Sequence, residues 1–268
     1  MNRIEACFST IKKNKKKALI PFLTAGDPSP SITAALMHKL VDAGSDIIEL
    51  GVPFSDPMAD GPVIQRASER ALAQKTNTDD VFNIVKDFRT KDKVTPIILM
   101  GYLNPIEIMG YSKFIKKASK AGVDGLIVVD LPLEESAELQ EALKLHEIDQ
   151  IFLLSPTTIG NRLSRICDVA SGFLYYVSLK GVTGSNQLDT KKVEKKIKEI
   201  RTKTTLPLAV GFGIKDAEIA RAIGRISDAV VIGSALVEKI AEYTDNTEEM
   251  FEGISSFISS FRKALDSI

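Results

Sequence analysis

Short apolar runs alternate with longer stretches of helical periodicity along the whole chain. Eight runs of strand length are rich in Ile, Val and Leu, and polar stretches with apolar residues at every third or fourth position separate them. The predicted strands are residues 18–24, 46–50, 96–100, 125–130, 150–154, 173–177, 206–210 and 229–232. Strands that alternate with helices predict a parallel sheet covered by helices.

Eight such units indicate a closed (β/α)8 barrel, and 268 residues are a typical length for one. An open, doubly wound sheet is the structural alternative. We expect residues 1–268 to form a single domain, because no low-complexity linker divides them. The amphipathic segment 3–11 predicts an extra N-terminal helix at the lower end of the barrel.

Composition narrows the class of protein. The formal net charge of +0 argues against a nucleic-acid partner, and no apolar run approaches the roughly 20 residues of a membrane span. His38 and His146 are the only histidines, so a metal site with histidine ligands is poorly supported. Cys7 and Cys167 lie far apart, and no signal-peptide pattern is visible. We therefore expect a cytoplasmic protein with reduced thiols.

Acidic residues concentrate where the second strand ends, in the segment 46–62. Alternation along a strand puts Glu49 on the face opposite Ile48 and Leu50, so Glu49 points into the barrel mouth if the other two pack under helices. Desolvation there would raise its pKa and suit it to acid–base chemistry. Asp60 follows in a loop rich in Pro and Gly, as a second, more polar carboxylate. The alternative is a solvent-reached Glu49 and an Asp60 that only helps to start a helix.

Glycines gather after the last three strands. They occur in the segments 181–185, 211–214 and 233–234, and the loops after strands seven and eight are the recurrent phosphate site of this barrel. Glycine lets backbone N–H groups converge on an anion, and a short helix from Ala235 would direct its N-terminus there. Plain tight turns are the alternative. Gly211 and Gly213 do not form a dinucleotide fingerprint, because the third glycine and the following acid are missing.

The sixth strand and its loop add two expectations. Phe173, Tyr175 and Val177 share one face of the strand, so Tyr175 can supply a hydroxyl near the mouth or remain a core tyrosine. The long loop 178–190 carries two glycines and predicts a lid. Thr183 within it is predicted to hydrogen-bond Asp60.

These residues resemble a known family along nearly the whole chain. The segments 20–28, 49–57, 59–62, 181–184 and 211–214 match the α subunit of tryptophan synthase, and the string from Glu49 to Pro62 is the most specific of them. The resemblance implies a (β/α)8 barrel that cleaves indole-3-glycerol phosphate to indole and glyceraldehyde 3-phosphate, late in tryptophan biosynthesis. It also implies a β subunit as the partner in an α2β2 complex. Pyridoxal phosphate is expected only in that β subunit, and no cofactor in this chain.

The resemblance also assigns roles to individual residues. Glu49 matches the general acid and base, Asp60 the acid that stabilises positive charge at the indole nitrogen, and Tyr175 an active-site tyrosine. The residues that match the phosphate cradle are Gly184, Gly213, Ile214, Gly233 and Ser234. The residues expected to line the indole slot are Phe22, Leu99, Ile127, Val129 and Phe212.

Two other functions compete with this interpretation. A catalytically idle barrel that binds a phosphorylated ligand and regulates a partner would keep the glycines and lose the acid pair, and both Glu49 and Asp60 are present. Another phosphosugar lyase or isomerase is the second possibility. A Schiff-base aldolase is disfavoured, because none of the eight predicted strands contains a lysine.

Overall fold

The fold is seen in a computed structural model, which describes residues 2–178, 190–211, 213–243 and 246–268. Nine strands occur in these ranges, all paired in parallel. The strands are β1 (Ala18–Thr24), β2 (Ile48–Gly51), β3 (Ile97–Gly101), β4 (Gly125–Val128), β5 (Asp149–Gln150), β6 (Phe152–Leu154), β7 (Leu174–Val177), β8 (Leu208–Gly211) and β9 (Ala229–Ile232).

Helices follow the strands around the sheet. The α-helices in the described ranges are α1 (Arg3–Lys13), α2 (Pro30–Asp42), α3 (Pro62–Ala73), α4 (Thr78–Lys91), α5 (Leu103–Met109), α6 (Tyr111–Ala121), α7 (Ala137–Lys144), α8 (Gly160–Val169), α9 (Thr190–Arg201), α10 (Ala217–Gly224), α11 (Ser234–Ala241) and α12 (Thr247–Asp266). A 3-10 turn spans Leu133–Glu135 and precedes α7.

The sheet closes into a barrel through its fifth predicted strand. The strand order is β5-β4-β3-β2-β1-β9-β8-β7-β6, so β5 and β6 are the two ends of the sheet. Only Ile151 separates β5 from β6, and its N–H donates to the Leu126 carbonyl at 3.0 Å. One bent segment therefore pairs with β4 at its start and with β7 at its end. This arrangement confirms the closed barrel over the open sheet.

Alternating strand residues sort into two apolar layers. Leu19, Leu23, Ile48 and Leu50 pack outward against the helices, in the larger cluster. The inner cluster contains Ile20, Ile47, Ile98, Ile127, Ile151, Phe173, Tyr175, Ala209 and Val231. The predicted orientation of the second strand is thereby confirmed, and Glu49 lies on the inner side.

Helix α1 closes the lower end of the barrel, as its amphipathic pattern predicts. Ile4, Phe8 and Ile11 are buried among inward residues at the beginnings of the strands. The rings of Phe8 and Phe173 are 5.6 Å apart between centroids. The side chain of Asn2 accepts from the Glu5 N–H at 2.9 Å and caps the helix.

Two local features differ from the pattern in the sequence. The periodicity of residues 133–145 predicts one helix, but they form a 3-10 turn (Leu133–Glu135) and then α7, and the buried Ser136 hydroxyl between the two donates to the Leu133 carbonyl at 2.8 Å. Helix α5 was missed by the sequence reading. Its seven residues contain a Pro, which is read more readily as part of a turn.

The contact between α1 and the lower end of the barrel allows a test of whether α1 stabilises the inner core. We expect Phe8→Ala to lower the free energy of unfolding by about 3–5 kcal/mol, because it removes a buried ring from the inner core. Ser9→Ala changes an exposed residue on the same helix and serves as the control. Urea unfolding followed by circular dichroism measures both. Equal stability of the two variants would show that α1 does not contribute to the core.

Candidate active site

Glu49 is a buried acid on the inner face of β2. Its side chain is 1% exposed, and its Oε2 atom has no hydrogen-bond partner among the residues that the structure describes. Burial raises the pKa of Glu49 to about 8, and the nearby Asp60 adds to the shift. A carboxyl group of this kind holds its proton at neutral pH and can exchange it with a ligand.

Asp60 lies in the loop between β2 and α3, and Tyr102 fixes its side chain. The Tyr102 hydroxyl donates to Asp60 Oδ2 at 3.0 Å and accepts from the Ala59 N–H at 3.0 Å. Gln65 Nε2 also donates to the Asp60 carbonyl oxygen at 2.9 Å. Burial raises the pKa of Asp60, while the bond from Tyr102 opposes the rise. Asp60 thus has a hydrogen-bond donor that stabilises its anionic form. Glu49 Oε2 has no such donor among the described residues.

Tyr175 faces the interior of the barrel from β7. It is buried, and both burial and the charge of Glu49 raise the pKa of its hydroxyl. Gly211 on the neighbouring β8 makes room for it, because a Cβ atom there would lie 2.7 Å from Tyr175 Cε2. The predicted inward orientation of Tyr175 is confirmed, and its hydroxyl remains protonated beside the acid pair.

A small cavity, partly open to solvent, lies between the ends of strands β1 to β4 and helix α3. Its lining combines an apolar wall with a few polar groups. The lining residues are Phe22, Thr24, Gly51, Val52, Asp60, Ile64, Ser68, Met100, Gly101, Tyr102 and Val129. Phe22 and Val129, which the resemblance assigns to the indole slot, are among the residues that line this cavity. A ligand with a flat apolar ring and one polar edge fits such a lining.

The expectation for Leu99 was wrong. Leu99 is buried in the outer layer against the helices, because its neighbours Ile98 and Met100 take the inward positions of β3. Met100 lines the cavity in its place. Ile127 does face inward and packs in the inner core, two residues below Val129.

The glycines after β8 and β9 leave open space beside the backbone. Gly213 has φ +76°, and a Cβ at Gly213 or at Gly233 would meet no atom of the described residues within 4 Å. Ser234 begins helix α11, whose N-terminus has no side-chain cap. The Leu236 N–H donates to the Gly233 carbonyl at 2.9 Å, so among the described residues the N–H groups of Ser234 and Ala235 are the ones placed to receive an anion. The Ile214 side chain packs in the outer core, so only its backbone is placed to contribute.

Part of the predicted site lies outside the described residues. This applies to Thr183 and Gly184, to most of the loop 178–190, and to Phe212. The two ends of the loop are described. The Ser178 hydroxyl donates to the Gly211 carbonyl at 3.0 Å, and Thr190 begins α9.

An ion pair connects the loop after β1 to helix α3, which lines part of the cavity. Arg70 Nε and Nη2 donate to the two Asp27 carboxylate oxygens at 2.7 Å each, and the Asp27 side chain is almost fully buried. Such a two-point pair holds a fixed geometry. Since α3 starts just after Asp60 and carries Ile64 and Ser68, the pair also supports one wall of the cavity.

Other kinds of site find no support in the described part of the chain. There, no group of three His, Cys, Asp or Glu side chains is arranged to hold a metal ion. No helix within the described ranges is long and apolar enough to cross a membrane.

Comparison with known proteins agrees with this geometry. A sequence model of the family described as tryptophan synthase alpha chain matches residues 8–266. The chain belongs to this family. It is 56% identical to the tryptophan synthase alpha chain of Thioalkalivibrio sulfidiphilus over 266 residues, which cover 99% of this chain and 100% of the relative.

Solved structures of the family share the fold over the full length. The tryptophan synthase alpha subunit of Legionella pneumophila str. Paris has a TM-score of 0.93 and 45% identity, with 100% of both chains covered. A chain of Mycobacterium tuberculosis tryptophan synthase in its aminoacrylate-bound form has a TM-score of 0.88 and 29% identity, with 99% of this chain and 100% of that one covered. The family likeness therefore extends to the barrel and is not confined to a few motifs.

Two site residues were missed by sequence reasoning. Tyr102 fixes Asp60, and Met100 forms part of the apolar wall. Strand alternation carried through β3 would have found Met100, because Ile98 pairs with Glu49 and Met100 with Gly51. Tyr102 gave no local signal, since its contact with Asp60 spans 42 positions in the sequence.

The buried state of Glu49 predicts a pH dependence of stability. Glu49 keeps its proton up to about pH 8 in the folded chain but loses it near pH 4.5 when unfolded. The stabilisation of the fold by protonated Glu49 is complete below pH 4.5. It is lost as the pH rises from 4.5 to about 8, by about 1.4 kcal/mol for each pH unit. We expect Glu49→Gln to be more stable than the parent at pH 8 and to lose this slope.

Urea unfolding at several pH values from 5 to 8.5 measures the difference. Glu141→Gln, on the exposed side of α7, is the matched control and should follow the parent. Parallel curves for the parent and Glu49→Gln would contradict the burial of an uncharged carboxyl group.

Proposed function

We propose that the chain is a carbon–carbon lyase, which cleaves indole-3-glycerol phosphate into indole and glyceraldehyde 3-phosphate. The observation that carries the proposal is the pair of acids at the barrel mouth. Glu49 is buried and holds its proton, whereas Asp60 accepts a hydrogen bond from Tyr102. Two carboxyl groups in such different environments can divide acid and electrostatic roles between them. Membership of the tryptophan synthase alpha chain family supports the same reaction.

The reaction follows from these groups. The acid form of Glu49 delivers a proton to the ring carbon that bears the glycerol chain, and the resulting cation spreads its charge to the indole nitrogen. Asp60 stabilises that charge through its carboxylate. Glu49 then takes the proton of the neighbouring glycerol hydroxyl, so that the carbon–carbon bond breaks and its electron pair returns to the ring. The products are indole and an aldehyde, and Glu49 recovers its proton.

Binding of the two ends of the substrate places the ring over the acids. The apolar wall of Phe22, Met100 and Val129 suits the indole ring. The N-terminus of α11 and the loop at Gly213 suit the phosphate, whose charge the helix dipole favours. In this proposal Tyr175 packs beside the reacting carbon, Thr183 hydrogen-bonds Asp60, and Gly184 is part of the phosphate cradle.

We also propose that this chain works as the alpha subunit of a complex with a beta subunit, in the α2β2 arrangement. The beta subunit, and not this chain, would hold pyridoxal phosphate. The loop after β2 supports a partner surface, because Met58 is 85% exposed beside Phe54 and Pro57. A cytoplasmic location is part of the proposal and agrees with the unpaired Cys7 and Cys167.

Purified chain with indole-3-glycerol phosphate tests the reaction. We expect Glu49→Gln to lower indole formation by about 10²–10⁴-fold, because glutamine keeps the shape of the side chain but transfers no proton. Glu141→Gln should leave the rate unchanged. The assay is run with and without the beta subunit, and circular dichroism checks the fold. Normal turnover by a folded Glu49→Gln variant would exclude Glu49 as the acid, while no cleavage by the parent in either condition would favour a binding protein.

The phosphate site has its own test. We expect Gly213→Ala to weaken binding of glycerol 3-phosphate by about tenfold or more, because the added methyl occupies the open side of the loop and opposes its positive φ. Gly110→Ala is the matched control, with φ +83° and equally open space at the start of α6. Isothermal titration measures both. Equal affinities would place the phosphate elsewhere.

A further inference from the structure

Thr24 is a buried hydroxyl residue at the mouth of the barrel. It is the last residue of β1 and is 2% exposed. Strand alternation places it on the inner side with Ile20 and Phe22, while Leu19 and Leu23 pack in the outer layer. Thr24 is one of the residues that line the cavity, together with Asp60 and Tyr102.

The Thr24 hydroxyl has no hydrogen-bond partner in the described part of the chain. A buried hydroxyl without a partner is costly, and native proteins normally satisfy such groups. A purely structural threonine at this position would be expected to bond a nearby carbonyl, as Thr33 does to the Ser29 oxygen at 2.9 Å. Thr24 differs from the other unpartnered hydroxyls, those of Ser45 and Thr76, because it lies at a cavity, where a bound ligand can supply the partner.

The strand order indicates which part of a bound ligand would lie next to the Thr24 hydroxyl. β1 lies between β2 and β9 in the sheet. Asp60 follows β2, and Gly233 follows β9 at the start of α11. A molecule with its ring near Asp60 and its phosphate near Gly233 would therefore pass close to the end of β1, where Thr24 lies.

We propose that Thr24 is a further substrate-contacting residue, whose hydroxyl binds the glycerol hydroxyl next to the phosphate-bearing carbon. This inference rests on the proposed function, in which Glu49 serves the other hydroxyl, next to the ring. A threonine hydroxyl both donates and accepts, and so matches a secondary alcohol in either direction. Thr24 thereby recognises the hydroxylated chain of the substrate and takes no part in proton transfer.

The test removes either the hydroxyl of Thr24, by mutation, or the hydroxyls of the ligand, by use of an analogue. Titrations use a Glu49→Gln background, in which the substrate is not consumed. The two ligands are indole-3-glycerol phosphate and indole-3-propyl phosphate, which lacks both chain hydroxyls. We expect Thr24→Val to weaken binding of the first ligand by about fivefold, the scale of one uncharged hydrogen bond, and to leave the second within about twofold.

Matched variants separate recognition from packing. Thr24→Ser keeps the hydroxyl and should retain most of the affinity for the substrate. Thr76→Val removes another buried and unpartnered hydroxyl that lies outside the cavity, against Gly26, and should change neither affinity. Thr24→Ala repeats the comparison should Thr24→Val fail to fold by circular dichroism. In the Glu49-containing chain, KM should rise while kcat changes little.

The outcomes are distinct. Equal weakening of both ligands by Thr24→Val, or no weakening of either, would overturn the proposal. Absence of indole release by the parent chain, with and without a beta subunit, would reject the proposed function instead. The titrations would still report whether Thr24 distinguishes the two ligands.

Discussion

The burial of one carboxyl group, that of Glu49, determines the electrostatics of the barrel mouth. Closure of the sheet gives each strand an inner face, and the outward packing of Ile48 and Leu50 leaves Glu49 no other direction. The low-dielectric interior then favours its uncharged form, and the carboxylate of Asp60 reinforces that preference. The buried hydroxyl of Tyr175 stays protonated for the same reasons. The protonation states of Asp60, Glu49 and Tyr175 are therefore linked. A negative charge on Asp60 raises the pKa of Glu49, and a negative charge on Glu49 raises the pKa of Tyr175.

The hydrogen bonds and ion pairs around these acids support Asp60 more than Glu49. Glu49 is fixed by its strand, but Asp60 comes from a loop and needs support from several directions. Tyr102 contacts it from the end of β3, and the ion pair of Asp27 and Arg70 connects helix α3 to the loop after β1. Such supports make a loop residue nearly as well placed as one on a strand. The ordered geometry of Asp60 is thus a property of three elements together.

The periodicity of the sequence was sufficient to predict the barrel. It was insufficient to predict which side chains line the cavity at the barrel mouth. Runs of apolar residues predicted each strand, and alternation correctly turned Glu49 and Tyr175 inward. The resemblance assigned Leu99 to the indole slot, but alternation along β3 turns Leu99 outward and leaves Met100 to line the cavity. Tyr102 depends on a contact between distant parts of the chain, which no local pattern contains. Roles read from the resemblance stay predictions, and those of Thr183, Gly184 and Phe212 lie beyond the described residues.

The order of strands around the barrel also separates the two chemistries that the proposed substrate requires. Acids follow β2 and the apolar wall spans β1 to β4, whereas open glycine backbone follows β8 and β9. A carboxylate beside the phosphate would repel it, so distance between the two ends favours binding of a dianion by a chain with no net charge. The end of β1 lies between them and carries a neutral hydroxyl, that of Thr24. A neutral polar group there can contact the middle of the substrate without disturbing the charge at either end.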